Sequence, residues 1–239
     1  MSKELIVYWS PYQGFEGTNT NFNLLYKQPE LLKHTLTVNQ NNKQRNFFRC
    51  PGFINAIDNV YVIENPIRSE LKIDGDTVYA LSQHYMNGKV VGGPSIEGCQ
   101  VFEYAVQNIF FCEEDLDMLV TAPWFSGNAQ HLKYGQLVPG RFNIGQWFRP
   151  FNIEVQLNKN INTILFEEGE HLAYINFLTD KKIKIKRFEF NQDLYRLSLG
   201  CSTSMQWEER IPLAKRYKRF METKTNKLVI KHIKQNLID

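Results

Sequence analysis

The densest group of residues able to do chemistry is Glu167-Glu168-Gly169-Glu170-His171, three carboxylates and an imidazole within five positions. Carboxylates beside an imidazole can hold a transition metal or relay a proton. Enzymes of the double-stranded β-helix type usually do this with two histidines one residue apart and a nearby carboxylate. The five histidines here, His34, His84, His131, His171 and His232, include no such pair. No metal or other cofactor is therefore expected, and the run reads as a solvated turn between two strands, since acids at a strand turn usually face water. Glu168, Glu170 and His171 are carried forward as candidate binding residues, and as the residues of the alternative reading, a metal-dependent enzyme of that type. A second acidic run, Glu113-Glu114-Asp115-Leu116-Asp117, offers oxygen ligands for a hard cation but lacks the spacing and turn glycine of an EF-hand. It reads as a loop that keeps a strand edge soluble.

Two further groups carry recognition chemistry. Gly145-Gln146-Trp147-Phe148-Arg149-Pro150 sets two large rings beside a guanidinium, a trio that can stack on a sugar, a base or another chain. Trp147 and Arg149 are its candidate binding residues, against the plainer expectation that these rings plug the end of a sheet sandwich. Near the C-terminus, Arg210, Lys215, Arg216, Lys218 and Arg219 lie largely off an apolar helical stripe, so Arg216 and Arg219 are candidates for phosphate contact. A wet helix face is the plainer expectation there. The charge is uneven: residues 205–239 hold nine Lys or Arg against four acids, a balance of +5 in a chain whose total is +3, which leaves −2 for the remainder. No P-loop, dinucleotide fingerprint, G-x-S-x-G or H-E-x-x-H is present, which removes the usual support for nucleotide, hydrolase and zincin readings.

The elements that must position these groups are mostly strands. From Pro139 to Phe190 apolar and polar residues alternate along 142–144, 151–157, 164–166, 172–177 and 183–190, a period of two that buries one face and wets the other. Asp74-Gly75 between Leu71–Ile73 and Thr77–Leu81 predicts a tight hairpin. The N-terminal segment 1–9, 59–63 and 116–120 read as further strands and 101–112 as one or two, with Trp124-Phe125 continuing the sheet. Short helices are expected over 28–36 and from Pro51, where Phe53, Ile54 and Ile57 share a side that should be buried. At the far end Thr203-x-x-Gln206 resembles a capping box, followed by a stripe of Trp207, Ile211, Ala214, Tyr217 and Met221 and then by Leu228, Val229, His232, Ile233 and Leu237. The fold class is thus mainly β (α+β), an antiparallel sandwich or barrel of jelly-roll or double-stranded β-helix type. One β-rich domain spans 1–204, and an amphipathic helical arm over 205–239 packs on it or on a partner.

With 43% hydrophobic residues and 22% charged, the chain has material for a core and is far from the disordered class. Cys50, Cys99, Cys112 and Cys201 form no C-x-x-C pair, so free, mostly buried thiols are expected. There is no secretory h-region and no window near the roughly 18 apolar residues of a membrane span. Phe48-Arg49-Cys50-Pro51-Gly52-Phe53, Asn59-Val60-Tyr61-Val62-Ile63 and Trp147-Phe148-Arg149-Pro150 together resemble uncharacterised proteins of tailed bacteriophages. That resemblance implies a viral source, located in the host cytoplasm or the virion, more than an activity. The leading expectation is a non-enzymatic accessory or virion-associated protein with a protein partner or self-assembly, and no membrane partner. The second is the metal enzyme, and the third is a nucleic-acid binder acting through the C-terminal helix.

Overall fold

The structure is a computed structural model that describes residues 4–12, 25–36, 49–75, 77–81, 88–91, 100–201 and 212–238. It is a β-sandwich with no closed barrel, so of the two expected architectures the sandwich stands. The first sheet has the order β14 (Ile183–Arg187), β1 (Leu5–Pro11), β7 (Val101–Cys112), β11 (Phe151–Leu157), β9 (Gly135–Val138), with β6 (Gly88–Val91) also paired to β7. The second runs β10 (Gly140–Asn143), β8 (Asp117–Thr121), β13 (His171–Phe177), β3 (Val60–Glu64), β2 (Glu30–Leu31). A third joins β12 (Thr163–Phe166), β4 (Ser69–Asp74) and β5 (Thr77–Ala80). Every pair is antiparallel except β1 with β14.

The two-residue period builds the main core. Phe102, Tyr104, Val106, Phe110 and Cys112 on β7 and Ile153, Val155 and Leu157 on β11 turn the same way, onto Tyr61, Ile63, Ala173, Ile175 and Phe177 of the second sheet. The other face of β7 presents Ile109 and Phe111 to a second apolar cluster. Strand β7 carries an irregularity: Phe151 pairs with Asn108 but Asn152 pairs with Ala105, so two extra residues are inserted, and Gln107 takes φ +55°. Two extra residues, unlike one, keep the inward and outward sets in phase. The Asp74-Gly75 hairpin forms as expected, with Asp74 opposite Thr77 and Gly75 at φ +58°.

Helices cover both outer faces. On the first sheet lie α3 (Gln192–Leu199), α4 (Leu213–Glu222) and α5 (Thr225–Gln235), whose Leu194, Phe220, Val229 and Ile233 pack on Tyr8, Ile109, Phe111, Phe148 and Phe188. The chain end is tied to β14 by the Phe188–Leu237 bridge and by Glu189 N–H donating to the Asn236 carbonyl at 2.8 Å. Helix α3, to which the sequence reading assigns nothing, is capped by Asn191, whose Oδ1 accepts from the Leu194 N–H at 3.0 Å. On the second sheet lie α1 (Leu32–Thr35) and α2 (Pro51–Ala56). Proline starts α2 as expected, but no residue within it is buried and Ile54 is 44% exposed; only Ile57, just past its end, reaches the core. Trp124 and Phe125 do not extend a strand; they turn outward beside Phe53 and Tyr174. No helix among the described residues is long and apolar enough to cross a membrane.

Candidate functional site

The acidic turn between β12 and β13 departs from the expected solvated loop at its most important residue. Glu168 is exposed, as expected, but Glu170 is wholly buried. Its carboxylate accepts from the His131 N–H at 3.1 Å and the Glu167 N–H at 2.9 Å, and it contacts His131 Nδ1 directly. Burying a carboxylate is costly unless donors replace its water, and here two backbone amides do so beside the imidazole. His131, 1% exposed, comes from the 3-10 helix Gln130–Tyr134, and its ring lies against Phe166. The pair pins that short helix to the strand turn. His131 was not singled out from the sequence, and no local signal marks it, because the partners are 39 residues apart.

His171 points elsewhere. It opposes Glu64 across the β13–β3 ladder, and burial pushes its pKa down, with the Glu64 carboxylate opposing that shift. Glu168, Glu170 and His171 therefore do not converge, and among the described residues no three His, Cys, Asp or Glu side chains could hold a metal ion. Around the turn, Asn65 is the hub. Its Nδ2 donates to the carbonyls of Ile67 (2.6 Å) and Glu167 (2.9 Å), its Oδ1 accepts from the Tyr104 hydroxyl (3.2 Å), and its N–H donates to the Glu170 carbonyl (2.8 Å). Above this hub opens a cleft of about 510 Å³, lined in part by Tyr26, Lys27, Glu64, Asn65, Asn108 and Glu168.

Trp147 and Arg149 form a packed corner. Arg149 lies 4.8 Å over the Trp147 ring, Trp147 Nε1 donates to the Arg149 carbonyl at 3.1 Å, and the ring stacks 4.7 Å from Tyr217 of α4. Phe148 beside them is fully buried against Phe111 and Phe190. The trio is a socket for the C-terminal helices, so the plugging expectation fits it better than an open stacking surface. Burial also pushes the Tyr217 hydroxyl pKa up, against the nearby Arg149 guanidinium.

The basic helix needs two corrections. Arg216 is 7% exposed, so it sits on the buried stripe with Phe220, while Ala214, expected inside, is exposed. Tyr217 and Met221 pack inward as expected, but the covered stripe extends to Phe220 and Arg216 instead of Ala214, because Trp147 captures Tyr217 and Phe111 meets Phe220. Residues 203–211, with the capping box and Arg210, lie outside the described residues. The cationic surface is also larger than the helix that first suggested it. Across 212–238 there are eight Lys or Arg and one acid, Glu222, a balance of +7 in a chain whose total is +3. Lys215, Lys218, Arg219, Lys224, Lys227, Lys231 and Lys234 are all exposed. Helices α4 and α5 both bury one stripe on the first sheet, so the opposite stripes look away from it together. Lys218 pairs with Glu222 at 3.7 Å and Lys234 with Glu113 at 2.7 Å; among the described residues Lys215, Arg219, Lys224, Lys227 and Lys231 meet no carboxylate. The spacing of Lys224, Lys227, Lys231 and Lys234 at three and four was the signal in the sequence that the surface continues.

No family model, no curated protein and no solved structure matches this chain.

Proposed function

We propose that the protein is a non-enzymatic accessory protein of phage type that binds nucleic acid through the outward face of α4 and α5. The observation that carries this reading is a set of five exposed cations that meet no carboxylate among the described residues, Lys215, Arg219, Lys227 and Lys231 on two adjoining helices and Lys224 between them. Like charges held this close repel one another, and a polyanion relieves that repulsion while releasing its own counterions. Lysine predominates and among the described residues no aromatic side chain is exposed on the stripe, which suits phosphate contact without base reading. The buried Glu170–His131 pair supports the non-enzymatic side of the reading, since its carboxylate is committed to backbone donors that hold the fold.

The test is a fluorescence-polarisation titration of full-length protein with a labelled 25-base-pair duplex over a range of salt. Five phosphate contacts give a slope of log K against log salt of about −4.5. Lys227→Gln with Lys231→Gln should flatten that slope by about 1.8, while Lys72→Gln with Lys159→Gln, exposed lysines on other elements, should leave it unchanged. No binding at low salt, tighter binding to anionic vesicles than to DNA, or equal weakening by both double variants would each overturn the reading.

A further inference from the structure

The cleft above the Asn65 hub is a built cavity on residues the nucleic-acid reading does not use. Its volume, about 510 Å³, falls within the range of small-ligand sites, ~300–1,000 Å³. Its floor is Asn108, 3% exposed, at the two-residue insertion in β7 and directly after Gln107 with its φ of +55°. Bulges re-aim side chains, and the residue this one places, Asn108, lines the cleft. Asn108 Nδ2 donates once, to the Val106 carbonyl at 2.9 Å, and Oδ1 accepts once, from Trp9 Nε1 at 2.6 Å. Each atom keeps capacity for one more hydrogen bond among the described residues. The neighbouring wall does not move, because Asn65 is fixed through both of its amide hydrogens and its oxygen.

The rim decides the class of ligand. Lys27 is already paired with Glu64 at 3.4 Å, and Glu168 adds a second carboxylate, so the lining is net negative and disfavours an anion. Leu25, Pro29 and Pro66 supply apolar surface between these polar groups. Carboxamide, carboxylate and ammonium groups together with apolar surface match a molecule that carries hydroxyls on one edge and C–H faces on another. We propose that this cleft binds a neutral polyhydroxylated small molecule of the sugar class, with Asn108, Glu168 and the Lys27–Glu64 pair taking the hydroxyls and Tyr26, Pro29 and Pro66 taking the C–H face.

Glu168 is the residue to change, since it is exposed and tied to no other side chain in the described structure. Saturation-transfer NMR of the full-length protein with glucose, galactose, N-acetylglucosamine, cellobiose and lactose should show at least one binder with Kd of about 0.1–10 mM. Glu168→Ala should weaken that binder tenfold or more, while Glu154→Ala, an exposed carboxylate on β11, should not, and both variants should melt with the wild type. Silence from every sugar up to about 50 mM overturns the proposal. So does tighter binding of spermidine, which marks a cation site, or of citrate, which marks an anion site, and so does unchanged affinity in Glu168→Ala. Retained DNA binding by Glu168→Ala, measured alongside, separates failure here from failure of the nucleic-acid reading.

Discussion

Removing the Glu170 carboxylate should unfold more of the stability of this protein than any surface change. In Glu170→Ala the N–H groups of His131 and Glu167 lose their acceptor, and the buried His131 imidazole loses the carboxylate at its Nδ1. Orphaning a buried polar group costs roughly 1–3 kcal/mol, so two amides and an imidazole left without their acceptor should cost about 3–5 kcal/mol after partial relaxation. For a chain of this size each kcal/mol moves Tm by roughly 2–4 °C, so the fall should be about 6–20 °C. Glu170→Gln keeps the volume and can still accept from one or both amides, so its cost should be smaller, about 1–3 kcal/mol. His131→Ala leaves the carboxylate buried without its imidazole and should be as costly as Glu170→Ala, while the double variant should cost much less than the two singles added. Urea unfolding followed by tryptophan fluorescence and by far-ultraviolet circular dichroism reads all four. If Glu170→Ala lies within about 1 kcal/mol of wild type, the pair is no tie and the physical account of the turn is wrong.

Other consequences follow from single sites. His171 has a folded pKa held below its unfolded value near 6.5 by burial, so the unfolded chain takes up the proton more readily; stability should drop as pH falls through 6.5 and recover above it, and His171→Asn should flatten that profile in thermal melts. Gly135 lies with its Cα against the Gln156 carbonyl, where a methyl group has no room, so Gly135→Ala should cost about 1–3 kcal/mol in the same urea assay; a neutral result would mean that β9 shifts freely. Cys50 is exposed, whereas burial pushes the thiols of Cys112 and Cys201 up, so a thiol reagent followed by peptide mass mapping should mark Cys50 in the native protein and reach Cys112 and Cys201 only in denaturant.

The legibility of this chain divides by range. Strands were readable because their period is local: Phe151 to Leu157 alternates whatever it pairs with, and the Asp74-Gly75 turn needs only its own residues. Trp124-Phe125 failed that logic because two aromatics suit an outward turn over Tyr174 as well as a strand. The helical stripe over 213–222 is only partly legible: polarity puts Arg216 outside and Ala214 inside, whereas the contacts of Tyr217 with Trp147 and of Phe220 with Phe111 decide which side is covered. The Glu170–His131 tie could not be read at all. Its meaning lies in a contact between segments that only the closed sandwich brings together, and an acidic turn looks the same on paper whether one of its carboxylates faces in or out.

The most direct measurement is lysine acetylation footprinting with and without a DNA duplex, read by mass spectrometry. Lys215, Lys227 and Lys231 should be protected by the duplex while Lys72, Lys133 and Lys159, exposed on other parts of the sandwich, keep their reactivity. Uniform reactivity across both groups, or protection confined to the second, would contradict the claim that the C-terminal helices are the nucleic-acid face.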